Sequence, residues 1–251
     1  MEKEICTHEP MKGVLERLIQ KLAEEDKIFS NEQDFQFELG LLLQKEPTVS
    51  LVKLEAMSLN EVWQKGKNYP RDSKEYTDIL VKTVDGKWYA IELKNKNVGK
   101  TCMYECEAFG KVVVMAQGAE YANSYAFWKD VERLEKINSR HFANEIKIEK
   151  GFAIFLTNDR KYRAEPFNEH WKNFSMNDGL NVGSGNFCPQ KPVSIGKNKL
   201  KAPELRNSYK LEWHDYDVEK YKYDEKASRN SMPGFSYLLL EVDPVCSDWM
   251  L

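Results

Sequence analysis

Two adjacent β-rich runs, YTDILVKTV (residues 76–84) and KWYAIELKN (residues 87–95), constrain the fold more than any other feature of this chain. Asp85-Gly86 separates them. An Asp-Gly pair between two runs rich in β-branched and aromatic residues is a strong signal for a β-hairpin. We therefore expect an antiparallel strand pair here, and its register decides which side chains share a face.

Two registers are open for this hairpin. A two-residue loop would put Asp78 and Glu92 on opposite faces. A three-residue loop, with Gly86 in the left-handed conformation, pairs Thr83 with Lys87 and puts Asp78 directly opposite Glu92. The sequence x-Asp-Gly suits the three-residue loop, so we expect the two carboxylates on one face.

Lys94 would then share the face of Asp78 and Glu92, because alternate residues of a strand point the same way. Two neighbouring carboxylates repel each other unless a cation lies between them, and Mg²⁺ is the expected ion, with Mn²⁺ as a substitute. Such an ion can polarise a phosphodiester and lower the pKa of a bound water. Lys94 would orient or help deprotonate that water and offset charge on the phosphate. The alternative is an exposed strand end with an ordinary ion pair, since Glu-x-Lys is a common tripeptide.

Hydrophobic periodicity elsewhere predicts helices on both sides of the hairpin and short strands towards the C-terminus. No internal repeat is present. The fold class is therefore α/β, with helices packed on a mixed sheet. The predicted helices cover 11–25, 31–45 and 101–142, the last with a break near Gly110 or Gly118, and the predicted strands cover 48–56, 151–159, 209–216 and 235–243.

Asp78, the hairpin and Glu92-x-Lys94 together resemble the PD-(D/E)XK nuclease superfamily, which includes many restriction enzymes and the RecB-like nucleases. The resemblance implies a restriction-endonuclease-like core, a mixed β-sheet flanked by helices, over residues 1–160. Residues 161–251 would form a loop- and β-rich extension packed on that core, which could serve as a recognition lobe. Thr77 stands where many members of the superfamily have proline.

Three further residues follow from the resemblance. A glutamate on the helix before the core strands often assists metal binding, and Glu38 is the candidate, with Asp34 as the alternative. The RecB-like branch carries Gln-x-x-x-Tyr on the helix after the hairpin, which Gln117 and Tyr121 match. The resemblance implies that Gln117 approaches the catalytic centre and that Tyr121 supports it or contacts substrate. Four residues apart on a helix, the two would share a face.

The charge distribution points to a local anion-binding surface. The whole chain carries a net charge of -3, but residues 150–210 hold eleven basic and five acidic side chains. Lys197, Lys199 and Lys201 could contact phosphates, with Trp171 and Phe174 stacking on bases. An edge hairpin with solvated lysines explains the same residues equally well.

The function that the resemblance implies is metal-dependent hydrolysis of nucleic acid, in restriction or other host defence. DNA is favoured over RNA and an endonuclease over an exonuclease, but the residues themselves leave both alternatives open. A repair nuclease, a catalytically idle nucleic-acid-binding member of the fold, and an α/β protein without a nucleic-acid role are the alternatives. A homodimer is left open. The chain has no run of about 18 apolar residues and no signal peptide, so a cytoplasmic location without membrane contact is expected. Lys94→Ala and Asp78→Ala are expected to fold normally.

Overall fold

The computed structural model describes residues 9–59, 74–97, 101–106, 110–139, 141–142, 146–166, 172–184, 193–195, 198–218, 221–223 and 234–245. Within these ranges the chain forms three α-helices and fourteen strands. The helices are α1 (Met11–Glu24), α2 (Glu32–Lys45) and α3 (Glu120–Glu135). The strands are β1 (Val49–Leu59), β2 (Lys74–Thr83), β3 (Trp88–Lys96), β4 (Cys102–Cys106), β5 (Gly110–Val114), β6 (His141–Phe142), β7 (Ile148–Thr157), β8 (Asn181–Gly183), β9 (Val193–Ile195), β10 (Asn198–Leu200), β11 (Ser208–Lys210), β12 (Trp213–Tyr216), β13 (Tyr221–Tyr223) and β14 (Phe235–Val242).

A mixed sheet of seven strands organises the described residues, in the order β12-β14-β7-β3-β2-β1-β6. β3 and β7 run parallel to each other, and every other neighbouring pair in this sheet is antiparallel. A parallel pair needs a crossover connection, and α3 lies in the chain between β3 and β7. The α/β prediction with a mixed sheet and flanking helices is therefore confirmed at this level.

The helices cover both faces of the sheet. Leu15, Leu18 and Leu22 of α1 pack in one cluster with residues of α2 and with Ile91 and Leu93 of β3. The apolar face of α3 packs in a second cluster on the other side. α2 begins where predicted, because the side chain of Asn31 accepts a hydrogen bond from the backbone N–H of Asp34 at 2.9 Å.

The hairpin has the three-residue loop. The N–H of Thr83 donates to the carbonyl of Lys87 at 2.9 Å, and the N–H of Gly86 donates to the carbonyl of Thr83 at 3.0 Å. Gly86 has φ +88°, the left-handed conformation that glycine adopts without a steric cost. The pairing of β2 with β3 follows the same register as far as Ile79 opposite Ile91. Asp78 and Glu92 are the residues that follow directly after this last pair on the two strands.

The prediction of one long helix over 101–142 is wrong. Its first part forms the antiparallel strands β4 and β5, and only Glu120–Glu135 is helical. Valine-rich sequence favours a strand, and the lack of proline on which the prediction relied does not favour a helix over a strand. Gly110, with φ +70°, begins β5. The predicted single strand over 209–216 is likewise two strands, β11 and β12, which belong to different sheets.

The part of the chain after residue 160 contributes to the same central sheet. β14 pairs with β7 from Ser236 to Val242, and β12 pairs with β14. The carboxylate of Glu135, which is fully buried, accepts hydrogen bonds from the N–H groups of Arg206 and Asn207 and from the Tyr209 hydroxyl, at 2.7 to 2.8 Å. These contacts fix the segment before β11 against the end of α3. Among the described helices, none has the length and apolar character needed to span a bilayer.

Candidate active site on the β2–β3 hairpin

Asp78, Glu92 and Lys94 lie on the face of the hairpin that packs against α3. Leu80 and Ala90, which share this face, are buried in the cluster formed by α3. The backbone N–H of Leu93 donates to Oδ2 of Asp78 at 2.6 Å, which ties the Asp78 carboxylate to β3. The structure thus brings together the three residues on which the proposal of a catalytic centre depends.

Glu92 is almost fully buried, with 1% of its surface exposed, and it lies against Arg133 of α3. Nε of Arg133 donates to Oε1 of Glu92 at 3.1 Å, and Nη2 forms an ion pair with Oε2. The same Nη2 lies 3.0 Å from Oδ1 of Asp130, one turn earlier on the helix. A guanidinium that faces both oxygens of a carboxylate compensates much of the cost of burying that charge.

Lys94 is paired with acids from two different elements. Its Nζ lies 2.8 Å from Oδ2 of Asp130 and 3.5 Å from Oε1 of Glu32, at the start of α2. Lys96 reaches the other oxygen of Glu32 at 3.3 Å. Glu92, Arg133, Asp130, Lys94, Glu32 and Lys96 therefore form one continuous chain of ion pairs between α2, β3 and α3, which we call the charge network.

Burial shifts the pKa values of both predicted metal ligands upwards. It raises the pKa of Asp78 to about 6, although the Leu93 N–H and Lys94 oppose the rise. It also raises the pKa of Glu92 above its usual range, against the opposing effect of Arg133. Burial by itself lowers the pKa of Lys94, but Asp130 and Glu32 outweigh it and hold that pKa above its ordinary value. Lys94 is therefore an ammonium at neutral pH, which suits it to offsetting negative charge rather than to accepting a proton.

Gln36 of α2 supports Asp78 from the other side of the sheet. Its Nε2 donates to the backbone carbonyl of Asp78 at 2.6 Å and to Oε1 of Glu55 at 3.0 Å. Glu55 has φ +50°, a strained conformation for a residue with a side chain. It lies in β1 between Leu54, which pairs with Ile79, and Ala56, which pairs with Thr77, and is therefore level with Asp78. At this position the carbonyl of Asp78 accepts its hydrogen bond from the side chain of Gln36.

The structure does not bring Glu38 to the Asp78–Glu92 pair. Its carboxylate lies 3.4 Å from Nζ of Lys27. Asp34, the alternative, accepts a hydrogen bond from the N–H of Ser30 at 3.1 Å, close to the start of α2. Glu32 is the acid of α2 that contacts Lys94.

Gln117 and Tyr121 are not arranged as the helical pair that the sequence predicted. Gln117 precedes α3, and its Oε1 accepts a hydrogen bond from the N–H of Asn97 at 3.3 Å, just beyond β3. Tyr121 lies in the first turn of α3 with its ring centroid 5.0 Å from that of Phe174. It borders a small cavity of about 90 Å³ between α3 and the segment after β7.

Of the three lysines predicted to contact substrate, one has a described side chain. Lys201 is exposed and lies 2.6 Å from Glu204 in an ion pair. The backbone of Lys199 lies in β10, while Lys197 falls outside the described residues, as does Trp171. Phe174 is buried under Tyr121 and Tyr125, so it packs in the core and is not available for stacking on a base.

The sequence reasoning missed Arg133, Asp130 and Glu32. Asp130 and Arg133 are three residues apart beside the buried stripe of α3, and acid and base at that spacing share a helix face. That signal indicates an ion pair on α3. It does not indicate that the pair faces Glu92, because helix packing on the sheet decides which strand residues it meets.

No known protein family, no curated protein and no solved structure matches this chain. The site must therefore be interpreted from its own geometry.

The site contains carboxylate oxygens, the kind of ligand that a hard divalent ion prefers, but they are not arranged around a common point. Oε2 of Glu92 and Oδ2 of Asp130 make ion contacts without hydrogen-bond geometry, so both buried oxygens retain acceptor capacity. Carboxylate oxygens are the ligands that Mg²⁺ prefers. Among the described residues, however, no three His, Cys, Asp or Glu side chains are placed to hold one ion together. Both oxygens of Glu92 already lie against the guanidinium of Arg133.

Proposed function

We propose that this protein is a divalent-metal-dependent nuclease that hydrolyses phosphodiester bonds of DNA, with Asp78, Glu92 and Lys94 at its catalytic centre. The proposal is supported by the hairpin register up to the residues next to Asp78 and Glu92, by the hydrogen bond of Asp78 to β3, and by the contacts of Glu92 and Lys94 with α3. A mixed sheet with helices on both faces is also what the resemblance to the PD-(D/E)XK superfamily implies. A restriction-endonuclease-like core remains part of this proposal.

In this proposal Asp78 and Glu92 hold Mg²⁺ or Mn²⁺, and Glu32 replaces Glu38 as the acid that the preceding helix contributes. When bound, such an ion polarises the phosphodiester and lowers the pKa of its water. Lys94, held as an ammonium by Asp130 and Glu32, stabilises negative charge that develops on the phosphate. Gln36 keeps the peptide of Asp78 in place through its hydrogen bond to the carbonyl.

The second candidate is a catalytically idle protein that binds nucleic acid with the same fold. The ion pair between Arg133 and Glu92 favours it, because a permanently paired glutamate could not serve a metal. The two candidates differ in whether the protein cleaves nucleic acid when a divalent ion is supplied. A role in host defence or in repair is proposed only for a protein that cleaves.

Cleavage assays separate these candidates. The purified protein is incubated with labelled single-stranded and double-stranded DNA, linear and circular, and with RNA, each with Mg²⁺, Mn²⁺ or EDTA. We expect cleavage of DNA that requires the metal and is lost in Asp78→Asn. Asp85→Asn is the matched control, since it removes an exposed acid from the turn of the same hairpin.

Binding of DNA without cleavage under any metal would favour the idle candidate. Cleavage that Asp78→Asn retains would show that the catalytic centre lies elsewhere. Cutting of circular DNA would identify an endonuclease.

A further inference from the structure

A cavity of about 330 Å³ lies between the start of α1, the turn of the hairpin and the start of β7. Tyr89 of β3 and Phe152 of β7 line it, and both pack on the side of the sheet that α1 and α2 cover. Cavities of this size hold small organic ligands. The candidate active site faces α3 on the opposite side of the sheet, so this cavity is separate from it.

One side of the cavity is apolar and aromatic. Met11 and Val14 of α1 and Phe152 of β7 are buried in its lining. The ring centroids of Tyr89 and Phe152 lie 6.2 Å apart, with the ring planes tilted by 37°. Aromatic rings bind apolar groups, and their faces also attract organic cations.

Carboxylates outnumber ammonium groups in the lining of the cavity. Its charged members are four acids and two lysines: Glu9, Asp85, Glu149, Glu241, Lys87 and Lys150. Lys87 pairs with Asp85, and Lys150 pairs with Glu241, each at 3.0 Å. Glu9 pairs at 3.1 Å with Arg17, which lies outside the lining. Glu149 is exposed and forms no ion pair within the described part of the chain, so the cavity favours a cation over an anion.

Glu149 lies close enough to Tyr89 for its charge to act on the Tyr89 hydroxyl. Burial raises the pKa of Tyr89, Lys87 opposes the rise, and Asp85 and Glu149 add to it. An unpaired acid and an aromatic ring therefore border the same space. A cation held there is attracted by the carboxylate and by the face of the ring.

We propose that this cavity binds a small organic amine, with its apolar body against Tyr89 and Phe152 and its ammonium group beside Glu149. A neutral ligand of the same shape would gain nothing from Glu149, and an anion would be repelled by it. The proposal goes beyond the proposed function and does not depend on it, because the cavity shares no residue with the candidate active site.

An NMR titration of the isotope-labelled full chain tests the proposal with three probes of similar size. At neutral pH phenethylamine is a cation, phenethyl alcohol is neutral and hydrocinnamate is an anion. The backbone N–H signals of Asp85 and Lys87 report binding, because both residues line the cavity. We expect phenethylamine to shift these signals and to bind at least about fivefold more tightly than either other probe.

Glu149→Gln tests the residue that recognises the charge, and Glu165→Gln is the matched control. Both acids are exposed, and Glu165 lines the smaller cavity beside Tyr121. Glu149→Gln should weaken the binding of phenethylamine by about threefold or more and leave the binding of phenethyl alcohol unchanged, since only the cation uses the carboxylate. Glu165→Gln should bind all three probes like the unchanged chain.

Three results would overturn the proposal. Equal affinity for the three probes, or tighter binding of hydrocinnamate, would show that the charge of the cavity does not select its ligand. Unmoved signals of Asp85 and Lys87 at about 10 mM phenethylamine would show that the amine does not enter the cavity. Full retention of phenethylamine binding in Glu149→Gln would show that Glu149 does not hold the ammonium group.

Discussion

At the scale of single residues, each buried charge on the hairpin face that packs against α3 is paired with a charge of opposite sign. Glu92 and Asp130 are both nearly inaccessible, and each is paired with a cation from another element or another turn. Burying such pairs contributes little net stability, but removing one member leaves an uncompensated charge in the interior. Substitutions in the charge network should therefore affect folding as well as any activity.

Lys94→Ala should lower the free energy of unfolding by about 3 kcal/mol, the order expected when one member of a buried ion pair is removed. The sequence alone predicted normal folding for this variant, because the contacts with Asp130 and Glu32 could not be read from it. Urea denaturation measures the change, with Lys53→Ala, an exposed lysine of β1, as the control. Equal stabilities for the two variants would show that the buried carboxylate of Asp130 does not need Lys94 as its partner.

Asp78→Asn should alter how stability depends on pH in the metal-free protein. The pKa of Asp78 is raised to about 6, against about 3.9 in an unfolded chain. Between these pH values the folded chain binds more protons than the unfolded chain, so the free energy of unfolding falls as pH rises from about 4 to about 6. The loss is complete above pH 6 and amounts to about 3 kcal/mol.

Asparagine stays neutral and can still accept the hydrogen bond from Leu93. The variant should therefore match the unchanged chain near pH 4 and exceed it in stability at pH 7. Urea denaturation at a series of pH values measures both curves. A difference between the two proteins that does not vary with pH would contradict the raised pKa.

The residues of the hairpin were predictable because their geometry is local. A period of two along each strand and an x-Asp-Gly turn are enough to predict the register of the hairpin, which is observed from Lys82 opposite Trp88 to Ile79 opposite Ile91. The acid of α2 was not predictable in the same way. Glu32 and Glu38 are six residues apart and point in different directions from the helix axis, and the sequence of α2 does not say which end approaches β3.

At the scale of elements, α3 joins the hairpin to the later part of the chain. Its residues Asp130 and Arg133 face the site, while Glu135 at its end accepts hydrogen bonds from two backbone N–H groups just before β11 and from the hydroxyl of Tyr209 in β11. The rotation of α3 about its own axis decides which of its side chains face the hairpin. That rotation therefore depends on a contact outside the site.

Glu135→Gln should destabilise the protein by about 2 kcal/mol, because an amide has one oxygen where the carboxylate has two, and its NH₂ group would face a backbone N–H. Thermal unfolding followed by circular dichroism measures the loss. Tyr209→Phe, which removes only the hydroxyl donor, should cost less. If Glu135→Gln is as stable as the unchanged chain, this carboxylate does not anchor the segment.

The error over residues 101–142 also belongs to this scale. The sequence of this segment has few strong periodic signals. β4 and β5 form because they pair with each other and because β13 pairs with β4. Pairing with a strand more than a hundred residues away is not visible in a local window. The same reasoning explains why the helical pair of Gln117 and Tyr121 was wrong, since Gln117 lies ahead of α3.

At the scale of the whole molecule, the sheet that carries the site is built from both halves of the chain. β3, which holds Glu92 and Lys94, is flanked by β2 from its own hairpin and by β7 from beyond α3, and β7 is flanked in turn by β14. The class of the fold followed from the order of elements. The strand order did not, because it depends on contacts between segments far apart in sequence.

The proposed function requires Asp78 and Glu92 to share a divalent ion, and a crystal structure of the protein soaked with Mn²⁺ would show whether they do. Anomalous scattering locates Mn²⁺ without reference to the protein density. We expect an anomalous peak next to the carboxylate oxygens of both Asp78 and Glu92, since carboxylates are preferred ligands of hard divalent ions. If no peak appears there at saturating Mn²⁺, these two residues do not hold the ion and the proposed catalytic centre is wrong.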